Sequence, residues 1–114
     1  MNYNFDLKED VLVLSLEGDL IGEDSGADLM DKISGYVQEG VRLCVVDISE
    51  LRYINSSGIG VLITILTKFR NKGGEVCLLK PSESVQKLLI ITKLNAIFSV
   101  VDTEEEAFEN LKSA

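Results

Sequence analysis

The sequence predicts an α/β (α+β) fold: a single mixed β-sheet of four to five strands with an N-terminal hairpin, packed against about four helices. Three observations carry this expectation. Short β-branched runs alternate with stretches whose apolar residues recur every three or four positions. One run, "VRLCVVDI", is apolar on both faces, the pattern of a strand buried within a parallel sheet. The segments between such runs are long enough for helical crossovers, which join parallel neighbours as right-handed βαβ units.

Taken in order, "YNFDLKEDVLVLSLEG" holds two alternating runs around Lys8-Glu9-Asp10 and reads as a β-hairpin. "EDSGADLMDKISGYVQEG" places Ala27, Met30, Ile33 and Val37 near helical spacing and stops at Gly40. "VRLCVVDI" follows as a strand, and "SELRYINSS" after it reads as a loop. The next helix carries Leu62, Ile65, Leu66 and Phe69 on one face. Lys68, Arg70 and Lys72 suit the negative end of its dipole, and Gly73-Gly74 stops it. "EVCLL" is a further strand, and "KPSES" a turn in which Ser82 caps a helix bearing Val85, Leu88 and Leu89. "AIFSVV" reads as a short strand. In "TEEEAFENL", Thr103 and Glu106 fit a capping box, with Ala107, Phe108 and Leu111 facing inward. No linker or internal repeat interrupts residues 1–114, which read as one domain.

A chain of 114 residues can bury a core without disulfides or metals. Its formal net charge of −8, from 19 acidic and 11 basic residues, repels phosphate backbones, so no nucleic-acid partner is expected. The run Glu104 to Glu106 opens the last helix, where anionic side chains favour the positive end of the dipole, and so reads as a solvated helix start. No apolar run approaches the roughly 18 residues needed to cross a bilayer. The first ten residues lack the basic and apolar regions of a signal peptide. The expectation is a soluble cytoplasmic protein without direct membrane insertion. Cys44 and Cys77 lie inside apolar strand runs, where cysteine behaves as a small core hydrophobe. With no histidine in the chain they do not make a familiar zinc site. Neither a metal nor a cofactor is expected.

The stretch that carries function is "RYINSSGIGVLI", residues 52–63. Ser57 as a nucleophile lacks a histidine base, and Asn55 and Ile59 stand where G-x-S-x-G needs glycines. A Ser-Lys arrangement with Lys68, Lys80 or Lys87 has no support from spacing. A dinucleotide fingerprint would need a third glycine where Ile63 stands, and the turn from "VVDI" to the helix reads as far too long for it. No phosphate-binding G-x-x-x-x-G-K-[ST] occurs. Carboxylates such as Glu23, Asp24, Asp47 and Glu50 read as solvated surface groups of an acidic chain.

The plainest role for Asn55, Ser56 and Ser57 is helix capping, worth about 1 kcal/mol against alanine. Yet one helix needs one cap, and here three candidates stand in a row. Gly58 and Gly60 follow, each costing roughly 1 kcal/mol relative to alanine inside a helix. Bare backbone beside an exposed hydroxyl suits close approach of another protein surface.

"VVDISELRYINSSGIGVLI", after "LEGDLIG" and before "GGEVCLL", resembles the STAS domain of anti-sigma factor antagonists over nearly the whole chain. The resemblance implies a partner-switching regulator, not an enzyme and with no small-molecule substrate. Its unphosphorylated form would bind an anti-sigma factor that is also a serine kinase, releasing the sigma factor. Phosphorylation by that kinase would inactivate it, and a PP2C-type phosphatase would reset it. Carried over by motif, the phosphoacceptor is Ser57, with Ser56 as second choice. If "VRLCVVDI" and "EVCLL" are parallel neighbours, the loops after them share one edge of the sheet, and the partner-binding surface expected there comprises Ile21, Gly22, Glu23, Asn55, Ser56, Gly58 and Ile59, with Pro81 and Ser82 at its margin. Two positions depart from the family pattern: Asn55 stands before the serines, and Ile21 after "GDL", where the family often has Asp. The rival reading keeps the fold and makes the chain a constitutive STAS scaffold, such as the small subunit of a lipid-transport or signalling assembly.

Overall fold

The hairpin forms as its alternating runs dictate. In the computed structural model, which describes residues 2–21 and 25–112, strand β1 (Asn2–Lys8) pairs antiparallel with β2 (Val11–Leu20). Glu9 takes the left-handed conformation at the turn. Helix α1 (Ser25–Gln38), strand β3 (Leu43–Ile54), helix α2 (Ser56–Arg70), strand β4 (Glu75–Leu79), helix α3 (Glu83–Ile91), strand β5 (Ser99–Val101) and helix α4 (Glu104–Lys112) follow. The described strands form one mixed sheet in the order β1-β2-β3-β4-β5, with β2 through β5 mutually parallel. The fold class read from the sequence is the one observed.

Each face of the sheet has its own core, as the alternation of strand side chains requires. Leu12, Leu14, Cys44, Val46, Val76 and Leu78 pack beneath α1, α2 and α3. Val11, Val13, Val45, Cys77, Leu79 and Val101 face α4, which supplies Ala107 and Leu111. Cys44 and Cys77 therefore lie on opposite faces, both as free thiols, and cannot bridge. Burial pushes the Cys44 thiol far up, and the Cys77 thiol up to about 11. Among the described residues no helix is long and apolar enough to cross a membrane.

The helical faces match expectation on α2, where Leu62, Ile65, Leu66 and Phe69 are all buried, joined by Val61. On α1 the inner stripe is Leu29, Ile33 and Val37; Met30 is half-buried, and Ala27, expected inside, is exposed. On α3, Val85 and Leu89 are buried, while Leu88 is half-buried. The strand expected over "AIFSVV" is shorter: Leu94–Ala96 form a 3₁₀ turn that buries Leu94, and Phe98 enters the core just before β5. Asn71 forms the C-cap of α2, and the chain turns at Gly73 with φ of +81°. A Cβ on Gly74 would come within 2.0 Å of the Arg42 carbonyl oxygen, so only glycine fits there.

The largest departure from the sequence reading concerns β3. "SELRYI", read as loop, continues the strand to Ile54 alongside Glu17–Leu20 of β2. Two bulges make this possible. From Ser15↔Asp47 to Glu17↔Glu50, β2 advances two residues and β3 three; from Gly18↔Leu51 to Asp19↔Tyr53, β2 advances one and β3 two. Each extra residue re-aims the strand, so Ile48, Leu51 and Ile54 all point into the core at a spacing of three. The strand-to-helix connection is thus a single residue, Asn55. The length of that turn is therefore no argument against a dinucleotide site, whereas the missing third glycine at Ile63 still is.

Candidate functional site

The site forms at the edge of the sheet where the parallel strands end. Asn55, in extended conformation with φ −105° and ψ −177°, caps α2: its Oδ1 accepts a hydrogen bond from Gly58 N at 2.8 Å. Its own amide donates to the Leu20 carbonyl at 3.3 Å, tying the helix start to the end of β2. Asn55 alone does the capping. Ser56 and Ser57 occupy the first helical positions, both exposed, and among the described residues neither hydroxyl has a hydrogen-bond partner.

The two glycines of the motif serve opposite needs. A Cβ on Gly58 would lie 2.1 Å from the Leu20 carbonyl oxygen and 2.9 Å from Ile54 Cγ1. Gly58 is buried, and its missing side chain lets α2 approach its own sheet. The expectation that Gly58 offers bare backbone to a partner is corrected accordingly. A Cβ on Gly60 would meet nothing within 4 Å, so the fold has no use for glycine there.

A groove of about 600 Å³ opens beside the serines, between the start of α2, the end of β3 and the helix α3. Tyr53, Ile59, Val85 and Leu88 give it an apolar wall, and Arg52, Asn55, Ser56, Ser84 and Thr92 add polar groups. Tyr53 is 55% exposed. Arg52 is held in a bidentate pair with Asp19 at 3.0 and 2.8 Å. Hydrogen bonding to Arg52 holds the Asp19 carboxyl below the usual carboxylate range.

Of the residues expected at the site, Asn55, Ser56 and Ile59 line this groove; Ser57 is exposed beside it. Ile21, 42% exposed, follows Leu20, whose carbonyl accepts from Asn55 N and leaves no room for a side chain on Gly58. Ser82 lies across the sheet edge, where its hydroxyl donates to the Leu51 carbonyl at 3.3 Å and accepts from Val85 N at 3.4 Å, capping α3 as expected. Pro81 precedes it, half-buried; neither lines the groove. Gly22 and Glu23 lie outside the described residues.

Sequence reasoning missed Arg52, Tyr53, Ser84, Val85, Leu88 and Thr92 as groove residues. A usable signal was present. Leu88 lies four residues before Thr92, the C-cap of α3, and Tyr53 is a large ring next to the polar run Asn55-Ser56-Ser57. No cluster of His, Cys, Asp or Glu among the described residues is arranged to hold a metal ion. What the arrangement offers is two free hydroxyls at the positive end of a helix, on the rim of an apolar groove.

Comparison with known proteins agrees with this geometry. The STAS domain family profile matches residues 2–107. The anti-sigma-B factor antagonist of Bacillus subtilis is 30% identical over 104 residues, covering 88% of this chain and 92% of the relative. Among solved structures, a Thermotoga maritima protein superposes with a TM-score of 0.87 at 24% identity, covering 96% of this chain and 94% of its own. The Bacillus cell fate determinant SpoIIAA, in its phosphorylated form, superposes with a TM-score of 0.73 at 22% identity over 96% and 98%. The chain belongs to the STAS domain family, in its anti-sigma factor antagonist branch.

Proposed function

We propose that this protein is an anti-sigma factor antagonist that works by partner switching. Unphosphorylated, its 114 residues acting as one STAS domain bind an anti-sigma factor serine kinase and free the sigma factor. Phosphorylation at the serine pair ends that binding, and a PP2C-type phosphatase restores it. The observation that carries the reading is the pair of exposed, unpartnered hydroxyls beside the groove, in a helix already capped by Asn55. SpoIIAA, of the same fold, has been solved in unphosphorylated and phosphorylated forms. The motif points to Ser57 as acceptor; the lining of the groove by Ser56 favours its neighbour.

The physics of the switch is local. A phosphate adds about −1.5 to −2 charges and three acceptor oxygens. At a helix N-terminus it is tolerated, with an effect of about 0.3–1 kcal/mol, so the domain stays folded. Blocking a partner a thousandfold needs about 4 kcal/mol. A dianion forced into a packed, desolvated contact supplies that much. Screening within about 8 Å at physiological salt leaves little for long-range repulsion.

Mass spectrometry of the protein from its native cells, with and without phosphatase treatment, tests this. The expected result is a phosphatase-sensitive phosphate on one serine of the pair. Ser56→Ala and Ser57→Ala, each used to capture the kinase and then exposed to ATP, assign the acceptor. A chain unmodified under all growth and stress conditions, bound to one constant partner, would refute the switch and support the scaffold.

A further inference from the structure

A second surface lies away from the switch, along the outer edge of the sheet. Strand β1 is an edge strand of seven residues, hydrogen-bonded on one side only to β2. Edge strands are normally blunted by proline, a bulge, a covering element or charged side chains, because their free amides and carbonyls template pairing with another chain. β1 has neither proline nor bulge, and its two charged side chains, Asp6 and Lys8, lie toward one end on the face turned from α1, with Lys8 held by Glu104 at 2.9 Å. Its register against β2 runs unbroken from Asn2↔Glu17 to Lys8↔Val11, and its α1-facing side chains are Tyr3, Phe5 and Leu7.

Those three side chains are incompletely covered. Leu7 is 50% exposed, and Tyr3 and Phe5 are half-buried against α1. Two concavities lie beside them. One, of about 460 Å³, is lined by Tyr3, Phe5, Gly35 and Tyr36 with Asn4, Lys32 and Glu39 beside them; the other, of about 420 Å³, joins Leu7 and Val41 to the charged Glu9, Asp10, Glu39 and Arg42. Gly35 leaves open space where a Cβ would stand.

We propose that β1 is a homodimerisation edge, pairing antiparallel with β1 of a second copy about a two-fold axis at Phe5. The edge is complementary to a second copy of itself. The register centred on Phe5 is the one that pairs all seven residues of each strand. Toward the helices it sets Phe5 opposite Phe5 of the second copy, and Tyr3 opposite Leu7, twice. Toward the other face it sets Asn4 opposite Asp6 and Asn2 opposite Lys8. The inner pairs are aromatic on aromatic and aromatic on aliphatic, the kind that stabilises cross-strand neighbours, and no outer pair sets like charges opposite one another, which would destabilise them. Leu7 of one copy comes beside the Tyr3 concavity of the other, and Tyr3 beside the Leu7 concavity. The dimer is a ten-stranded sheet with its two switch sites at the ends of β3, away from the seam. The inference does not depend on the function proposed above.

Sedimentation equilibrium of the full chain, up to roughly millimolar concentration, reads the association directly. Two variants at the exposed Asn4 fix the register. Asn4→Asp places a like charge opposite Asp6 of the second copy, twice per dimer, and should weaken dimerisation roughly two- to thirtyfold. Asn4→Lys places an opposite charge there and should strengthen it by a similar factor. Circular dichroism confirms that both variants are folded. In a register centred on Asn4 both substitutions would weaken the dimer, because each sets like charges together. A monomer at every concentration, a dimer weakened by both changes, or one indifferent to both would overturn the proposal.

Discussion

The inner and outer sides of the first turn of α2 are built from similar residues and do different things. Inward, Gly58 and Asn55 make contacts the fold requires: a backbone approach to Leu20 that no side chain fits, and a 2.8 Å cap. Outward, Ser56, Ser57 and Gly60 make no contact the fold requires. Small polar residues in one short run thus divide into those that hold the helix on the sheet and those that leave its surface bare. Residue type alone does not separate the two; position against Leu20 does.

The sharpest way to break this contrast is to add one methyl group on each side. Gly58→Ala drives a Cβ into a backbone carbonyl that cannot move cheaply, and should cost about 3 kcal/mol or more, read as a fall in the denaturation midpoint. Leu88→Asp at the groove wall should cost the fold about 1–2 kcal/mol, since Leu88 is half-buried against the core, yet weaken capture of the anti-sigma factor at least tenfold in a binding titration. Asn55→Ala removes the cap and should cost about 1 kcal/mol by the same unfolding measurement. Gly60→Ala should do the reverse of Gly58→Ala, stabilising the helix by up to about 1 kcal/mol. If that variant nonetheless binds its partner more weakly, the outer side is a contact surface; unchanged binding would free Gly60 of any role.

The smallest effect concerns Asp19. Its folded pKa is lowered, chiefly by the hydrogen bond from Arg52, below the ordinary value of 3.8. The pair's contribution is therefore present above that value and is lost as pH falls through the lowered folded pKa. The difference in stability between the parent and Asp19→Asn should be constant near neutral pH and shrink in strongly acid solution. Denaturation curves at both extremes check the sign. The pair is solvent-exposed, so the effect is slight.

Most strands and helices were legible because their apolar periods match their buried faces, as on α2 and β4. β3 was not, and the reason is geometric. Its second half carries Glu50, Arg52 and Tyr53 toward solvent, and two bulges displace its core residues from the period of two that marks a strand. Ile48, Leu51 and Ile54 at intervals of three look like neither strand nor loop. The groove was hidden for the same reason, since it depends on where β3 ends. The motif itself was legible as a helix start; that Asn55 caps alone, leaving both serines free, depends on which side chain reaches Gly58 N, and three neighbouring capping residues do not differ in that by type.

Placing one cysteine in each of the two cores gives the chain a pair of internal clocks. The core containing Cys77 is roofed by α4 alone, a nine-residue helix, whereas Cys44 lies beneath three helices. A helix that peels away from one face opens sub-globally, with less free energy than unfolding the sheet. Cys77 would then meet a thiol reagent each time α4 lifts, and Cys44 only when the whole sheet comes apart. Two labelling rates taken from one sample would separate a local breathing motion from global unfolding, with no probe added to the protein.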